Sequence, residues 1–412
     1  MGIGADAVAR CDLWARSPFS EEPRALTRRY LTDAHRAAIR RLSIWMVAAG
    51  MNVRLDPAGT LIGRYEGAPG GTGKTLLIGS HIDSVCDAGS YDGALGVMLG
   101  LGCIAHLAQA GRRLPFAIEL LAFGDEEGSR FPASMVGSRA LAGILHEDVT
   151  RYRDANGVEL GQAMRDFGLD PTLLPEAAHD PSEVLLYFEA HIEQGPVLEA
   201  ENLPVGVVTG IAAQTRLMVR LEGIACHAGT TPMHLRRDAL AAAAEAILAL
   251  ERIAAAAADG LVATAGTIAA FPGLNNVVPG KVNFSVDLRA PQSVRRDALE
   301  LEFRTELAEI CTRRGIGCDV EVVQRLAPCF CDQAAQRTLA EAVAEQGITP
   351  RYLASGAGHD AMNVVALAPV AMLFIRCKEG ISHNPAEHVT VEDAEMAAQI
   401  MLGFIEKMAA AG

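Results

Sequence analysis

Three features are scarce in this sequence of 412 residues, and each scarcity removes a class of function. Basic charge is the first: 36 Lys and Arg stand against 50 Asp and Glu, a formal net charge of -14. Nucleic acid and anionic membrane surfaces both require a cationic footprint, so neither is the expected partner. The second is the long apolar run. No window approaches the length a membrane span needs, and residues 1–6 show no basic stretch leading into an apolar one, so no signal peptide is expected. The third is paired cysteine. Nine cysteines, an odd number, are scattered from Cys11 to Cys377; only Cys329 and Cys331 lie close, and zinc-finger spacing is absent. Reduced thiols in a cytoplasmic protein fit that usage. No solenoid-type repeat is present either.

What is present describes a globular enzyme-sized chain. Hydrophobic residues make up 50% and charged ones 21%, and the length exceeds one ordinary core, so two domains are expected. Residues 33–50 read as an amphipathic helix closed by Gly50, and 52–64 as a hairpin turning at Asp56-Pro57-Ala58-Gly59. Then come a buried-type strand at 75–79, a helix at 93–110 and a strand at 116–123. Strand, helix, strand with short connections implies parallel pairing in an α/β sheet. From Gln214 the pattern changes. Strands at 214–222, 261–271, 281–289 and 318–326 and helices at 238–256 and 294–314 follow the order β-α-β-β-α-β. That order predicts a ferredoxin-like unit inserted at about residues 212–327 of a domain formed by 1–211 and 328–412. The α/β pattern resumes with a helix at 336–346, a strand at 370–376 and a helix at 391–408.

Ligands of such sheets sit beyond the carboxyl ends of the strands, and there this sequence concentrates its chemistry. Ser80-His81-Ile82-Asp83 follows the first buried strand, and Tyr91-Asp92-Gly93 opens the next helix. Asp125-Glu126-Glu127-Gly128 follows residues 116–123, His191 follows the apolar run 184–188, and His383 follows 370–376. Each residue alone has an ordinary alternative: Asp92 is a fair helix N-cap, His81 a satisfied core histidine, and the acidic run a solvated turn. Together His81, Asp92, Glu127, His191 and His383 supply three imidazoles and two carboxylates, a set suited to two borderline divalent ions such as Zn²⁺ or Mn²⁺ with one carboxylate bridging. Calcium would require more oxygen and no histidine. Two close ions generate hydroxide from water at neutral pH, and Glu126, beside a ligand, is placed to move its proton. Asp83 is expected to orient the His81 imidazole. The reaction class implied is hydrolysis of an amide-like bond.

Nine ordered motifs carry a family resemblance. They are Gly79-Ser80-His81-Ile82-Asp83-Ser84, Tyr91-Asp92-Gly93, Asp125-Glu126-Glu127-Gly128-Ser129-Arg130-Phe131, His191-Ile192-Glu193-Gln194-Gly195-Pro196, His227-Ala228-Gly229-Thr230-Thr231-Pro232-Met233, Asn276-Val277-Val278-Pro279-Gly280, Asp287-Leu288-Arg289, Ser355-Gly356-Ala357-Gly358-His359-Asp360-Ala361 and Gly380-Ile381-Ser382-His383-Asn384-Pro385. Over nearly its whole length the chain resembles the amidase (hydantoinase/carbamoylase) branch of the M20 metallopeptidase superfamily, which holds allantoate amidohydrolases, N-carbamoyl-L-amino acid amidohydrolases and β-ureidopropionases.

The resemblance implies a zinc-peptidase-like catalytic domain with a mixed sheet and an inserted ferredoxin-like dimerisation, or lid, domain. It implies two divalent ions per subunit, Zn²⁺ or Mn²⁺ and possibly Co²⁺. His81, Asp92 and His191 would hold one, and Asp92, Glu127 and His383 the other. Glu126 would be the general base and His227 an oxyanion donor reaching the partner's site in a homodimer. Gln194, Asn276, Arg289, Gly358 and His359 would meet a small ureido acid, Arg289 clamping its carboxylate as a bidentate donor. Residues 372–378 and Ser20-Glu21-Glu22-Pro23 look most like allantoate amidohydrolases, since carbamoylases more often carry Pro-Ser where Arg376-Cys377 stand. Two departures stand out: Cys226 precedes His227 where Gly or Asn is usual, and Glu379 replaces a common Gly.

Overall fold

The computed structural model describes residues 2–257 and 260–411. Packing divides the chain into two compact units, one of residues 1–209 and 330–412, the other of 210–329.

In chain order the strands begin with β1 (Asn52–Leu55), β2 (Leu61–Tyr65), β3 (Thr75–His81), β4 (Ala117–Phe123), β5 (Val184–Ile192) and β6 (Val205–Ile211). Next come β7 (Ala213–Glu222), β8 (Cys226–His227), β9 (Val262–Thr264), β10 (Ile268–Phe271), β11 (Val277–Val278), β12 (Lys281–Ala290) and β13 (Gly317–Leu326). The last are β14 (Cys329–Phe330), β15 (Tyr352–Ser355) and β16 (Val370–Ile375). The larger sheet runs β1-β2-β4-β3-β5-β16-β6-β14, with β15 beside β6. Its centre is parallel (β4, β3, β5, β16), while β2 and β6 join antiparallel on either side. The four central strands therefore point their carboxyl ends at one edge. Every residue of β3, β4 and β16 is buried, as expected for strands covered on both faces. Helix Ala94–Gln109 lies against this sheet, and Gly96 makes the approach possible: a Cβ there would sit 1.9 Å from the Ala190 carbonyl oxygen.

The smaller unit has the sheet order β10-β12-β7-β13, with β9 also on β12. These strands all pair antiparallel. Along β12, Val282, Phe284, Val286 and Leu288 are buried while Asn283, Ser285, Asp287 and Arg289 stay partly open, the alternation expected of a sheet with one wet face. The alanine-rich helix Ala239–Ala256 and helix Ser293–Arg314 cover the dry face, and Phe284, Phe303 and Leu307 belong to their shared core. This is the ferredoxin-like arrangement.

Several elements differ from the sequence reading. The stretch 261–271 is two strands, β9 and β10, separated at residues 265–267, because a Gly there and the Thr267–Ser285 hydrogen bonds replace regular pairing. Helix Ile3–Trp14, strand β6 and the short β8–β11 ladder have no counterpart in the sequence reading. The helix expected at 336–346 starts at Gln333, because Asp332 caps it by accepting from the Ala335 amide.

Candidate metal centre

The carboxyl edge of the parallel strands gathers the acceptors. His81 is the last residue of β3 and His191 lies near the end of β5. Asp92 sits one residue before Gly93, whose φ of +66° turns the chain into the following helix. A side chain at Gly93 would strike the His81 ring at 2.5 Å, so the glycine serves both the turn and the close approach. Glu126 and Glu127 follow β4, and His383 lies beyond β16 with a φ of +55°.

The distances within this group are short and repetitive. Asp92 Oδ1 is 3.1 Å from His191 Nε2 and 3.4 Å from His81 Nε2, and the two imidazole nitrogens are 3.4 Å apart. Asp92 Oδ2 is 3.3 Å from His383 Nε2, which is 3.3 Å from Glu127 Oε1. Ligands held tetrahedrally about 2.0–2.1 Å from a zinc-like ion would be separated by roughly 3.3 Å. The far sides of two rings fix their tautomers: His81 Nδ1 donates to the Asp83 carbonyl at 3.1 Å and His191 Nδ1 to the Ile192 carbonyl at 2.9 Å. Each Nε2 lone pair then faces a carboxylate oxygen, and the buried Asp92 Oδ1 has no hydrogen-bond donor. In the His81, Asp92 and His191 set, buried acceptors turned on one another call for a cation, and Glu127 with the more open His383 completes a group that fits a divalent metal. Without one, protons must neutralise the cluster. Burial opposes charge on His81, yet the facing carboxylates of Asp83, Asp92 and Glu126 together outweigh it and raise its pKa well above the ordinary range. For His383 the hydrogen bonds to Asp92 and Glu127 push the pKa up to about 10.

Glu126 is buried, and a carboxylate oxygen of it lies within 4.8 Å of ligand atoms of His81 and Glu127. Burial raises its pKa well above 4.5, and the charges of Glu127, Asp360 and Asp83 reinforce that shift while His81 opposes it. Asp83 acts on the turn more than on the ring. Its carboxylate accepts the backbone amides of Glu126 at 3.1 Å and Glu127 at 3.2 Å, while His81 Nδ1 is 3.6 Å from Oδ1. Beneath it the buried Arg28 donates to the carbonyls of Ile82, Trp14 and Phe19, pinning the segment that follows His81.

The residues expected to meet substrate are placed differently. Gln194 Nε2 donates to Asp92 Oδ2 at 2.9 Å and to Ser382 Oγ at 3.3 Å, so its amide serves the central carboxylate. His359 is buried, bonded to Ser355 Oγ at 2.9 Å, with its ring centre 4.4 Å from that of His191. Burial, with the charge of His191, holds it neutral. Gly358 is exposed. His227, Asn276 and Arg289 belong to the smaller unit. His227 and Asn276 are exposed neighbours, joined where the Ala228 amide meets the Asn276 carbonyl at 2.9 Å. Arg289 forms a two-pronged pair with Asp287, at 2.9 and 3.1 Å. Sequence reasoning misses Ser382 and Glu387, whose only signal is proximity to His383.

A mixed sheet that gathers imidazoles and carboxylates at one edge forms a candidate site for a divalent metal. The model of "Peptidase family M20/M25/M40" matches residues 77–407, and the chain belongs to that family. It is 40% identical to an N-carbamoyl-L-amino acid amidohydrolase of Geobacillus stearothermophilus, over 93% of each chain. It is 38% identical to an allantoate deiminase of Arabidopsis thaliana, over 97% of this chain and 82% of that one. Among solved structures, an amidase of the hydantoinase/carbamoylase family from Burkholderia multivorans superposes with a TM-score of 0.92 at 32% identity, covering 98% of both chains.

Proposed function

We propose that the protein hydrolyses the ureido C–N bond of a small carboxylate-bearing substrate, with allantoate as the first candidate. The observation that carries this reading is the acceptor cluster around Asp92, set in a chain similar over most of its length to enzymes named for allantoate and for N-carbamoyl amino acids. Two divalent ions, Zn²⁺ or Mn²⁺, would be held by His81, Asp92 and His191 and by Asp92, Glu127 and His383. When bound, they supply Lewis acidity toward the ureido carbonyl and lower the pKa of the attacking water. Glu126 takes the proton from that water and returns it to the departing nitrogen, a task suited to a carboxylate whose pKa burial has raised. Asp83 holds the Glu126-Glu127 turn against His81. Arg289 and Asn276 would bind substrate, Arg289 by its carboxylate, and in a homodimer His227 would donate to the oxyanion developing in the partner's site. Because Arg289 is paired with Asp287, substrate must compete for a guanidinium that is already oriented.

Homodimerisation through the smaller unit is part of the proposal. Its support is the ten-residue edge strand β13, with Val322 44% and Val323 60% exposed. A reducing, cytoplasmic setting fits the nine scattered cysteines, and no helix among the described residues is long and apolar enough to cross a membrane.

The second reading, an N-carbamoyl-L-amino acid amidohydrolase, is favoured by the 40% identity to such an enzyme. The segments that favour allantoate have structural duties: Arg376 pairs with Asp393 at 2.7 and 3.0 Å, and Ser20 Oγ bonds within its own loop. They record kinship rather than substrate contact. Ammonia release from allantoate, N-carbamoyl amino acids and β-ureidopropionate, measured on metal-free protein resupplied with Mn²⁺ or Zn²⁺, decides the matter. Turnover of dipeptides with no ammonia from any ureido acid would sink the proposal.

A further inference from the structure

Two loops carry the ligands that meet at Asp92 Oδ2, and a buried carboxylate belonging to neither ligand set joins them. Glu387 is 5% exposed. Its Oε1 accepts the amides of Tyr91 at 2.7 Å and of Asp92 itself at 3.1 Å. Its Oε2 is 3.1 Å from Ser382 Oγ, and that hydroxyl lies 2.6 Å from Asp92 Oδ2. Glu387 is also fixed relative to His383. The intervening turn is closed by Asn384, whose Oδ1 accepts the Ala386 amide at 2.9 Å and whose carbonyl accepts the Glu387 amide at 3.0 Å. The opposite loop is shaped to admit this side chain: a Cβ on Gly89 would lie 2.3 Å from Glu387 Cβ and 2.4 Å from its Oε1. A second link runs alongside, with the Tyr91 ring edge-on to that of His388 at 6.2 Å between centres.

We infer that Glu387 is a positioning residue that holds the Asp92 loop and the His383 loop in one register, so that Asp92, Glu127 and His383 are already assembled when a cation arrives. The inference rests on the metal-centre reading above. Asp92 has little freedom of its own: its backbone amide is held by Glu387, and its Oδ2 is met by Ser382 and Gln194. Shifting the turn that bears Glu387 would move His383 and release the Asp92 backbone together. Outer partners of this kind typically change metal affinity by about 10–100-fold.

The test is a Co²⁺ titration of the full-length metal-free protein, followed by the visible absorption of bound cobalt, for wild type, Glu387→Asp, Glu387→Gln and Gly89→Ala. Glu387→Asp keeps the charge but is one methylene too short to reach both loops. It is expected to bind the cobalt equivalent at Asp92, Glu127 and His383 about 10–100-fold less tightly, with an altered spectrum. The equivalent held by His81 and His191, which shares Asp92, should weaken by a smaller factor. Gly89→Ala should shift the same equivalent in the same direction by displacing Glu387. Glu387→Gln retains an acceptor for both amides and should recover most of the affinity. If Glu387→Asp and Gly89→Ala reproduce the wild-type isotherm and spectrum, the inference falls alone. It also falls if both equivalents weaken in parallel with the unfolding midpoint of the metal-free protein, the mark of a merely structural staple. A wild-type chain that takes up no cobalt overturns the metal-centre reading, and the inference with it.

Discussion

The two units treat their functional side chains in opposite ways. In the larger unit, His81, Asp92, His191 and Glu126 are buried, with His81, His191 and Asp92 tied to backbone or to other side chains, while His383 alone stands about half open. In the smaller unit, His227 and Asn276 stand exposed, and Arg289 is occupied by a neighbour on its own strand. The difference follows from the sheets. Parallel strands covered on both faces end in a dry edge where polar groups must be mutually satisfied, whereas a sheet with one wet face presents its chemistry to solvent. It teaches that the candidate metal ligands are organised within the larger unit, while the residues proposed to recognise substrate in the smaller one are solvent-facing or paired with a neighbour.

Removing the metal should give the largest effect. Dialysis against a chelator is expected to abolish ammonia release, and Mn²⁺ or Zn²⁺ to restore it. Full activity in metal-free protein would break the comparison, because the buried cluster would then be scaffold. Next is Glu126→Gln, which removes the proposed proton carrier and leaves the candidate ligands. Its kcat should fall by roughly 10²–10⁴-fold with the cobalt isotherm unchanged. Retained kcat would mean that another group moves the proton. Arg289→Ala sharpens the other side. Losing a charged hydrogen-bonding partner of the substrate carboxylate costs about 2 kcal/mol, so kcat/KM should drop roughly 10–100-fold, chiefly through KM. Equal kcat/KM in variant and wild type would remove the smaller unit from recognition.

Legibility in the sequence divides along the same line. Period-two alternation in residues 281–289 and the apolar runs ending in His81, Glu127 and His191 disclose the strands, because burial on one face or two leaves a direct mark on composition. The candidate ligands are legible because they cluster at strand ends, which the sheet brings to one edge. The partners of those ligands are not. Asp83 is expected from the sequence to serve His81, yet its carboxylate bonds the Glu126 and Glu127 amides, since the strand ends at His81 and the chain then turns. Gln194, expected to meet substrate, bonds Asp92, a partner that the sequence does not disclose. Glu387 lies 295 positions from the amide it accepts, a separation no local pattern encodes.

The smallest effect concerns stability against acid. His35 is fully buried in the larger unit under the acidic turn: a Cβ on Gly124 would lie 2.7 Å from its ring, which stacks on Phe167 at 5.5 Å between centres. Its Nδ1 accepts the Leu31 amide at 3.1 Å, so the neutral form fits and the charged one does not. Burial lowers its pKa from 6.5 to about 3. The unfolded chain therefore binds this proton first as pH falls below about 6.5, and stability is lost progressively from there toward pH 3, by about 2 kcal/mol at pH 5. Asp56, whose carboxyl burial pushes up to about 6, acts with the opposite sign over part of the same window. The difference between His35→Gln and wild type isolates the histidine. Urea unfolding of the metal-free proteins at pH 7 and pH 5 should show wild type losing about 2 kcal/mol relative to the variant. Parallel losses would mean that the ring takes its proton inside the fold. The larger unit would then tolerate buried charge as the smaller one tolerates exposed His227 and His234, and the contrast between dry and wet units would not extend beyond the metal edge.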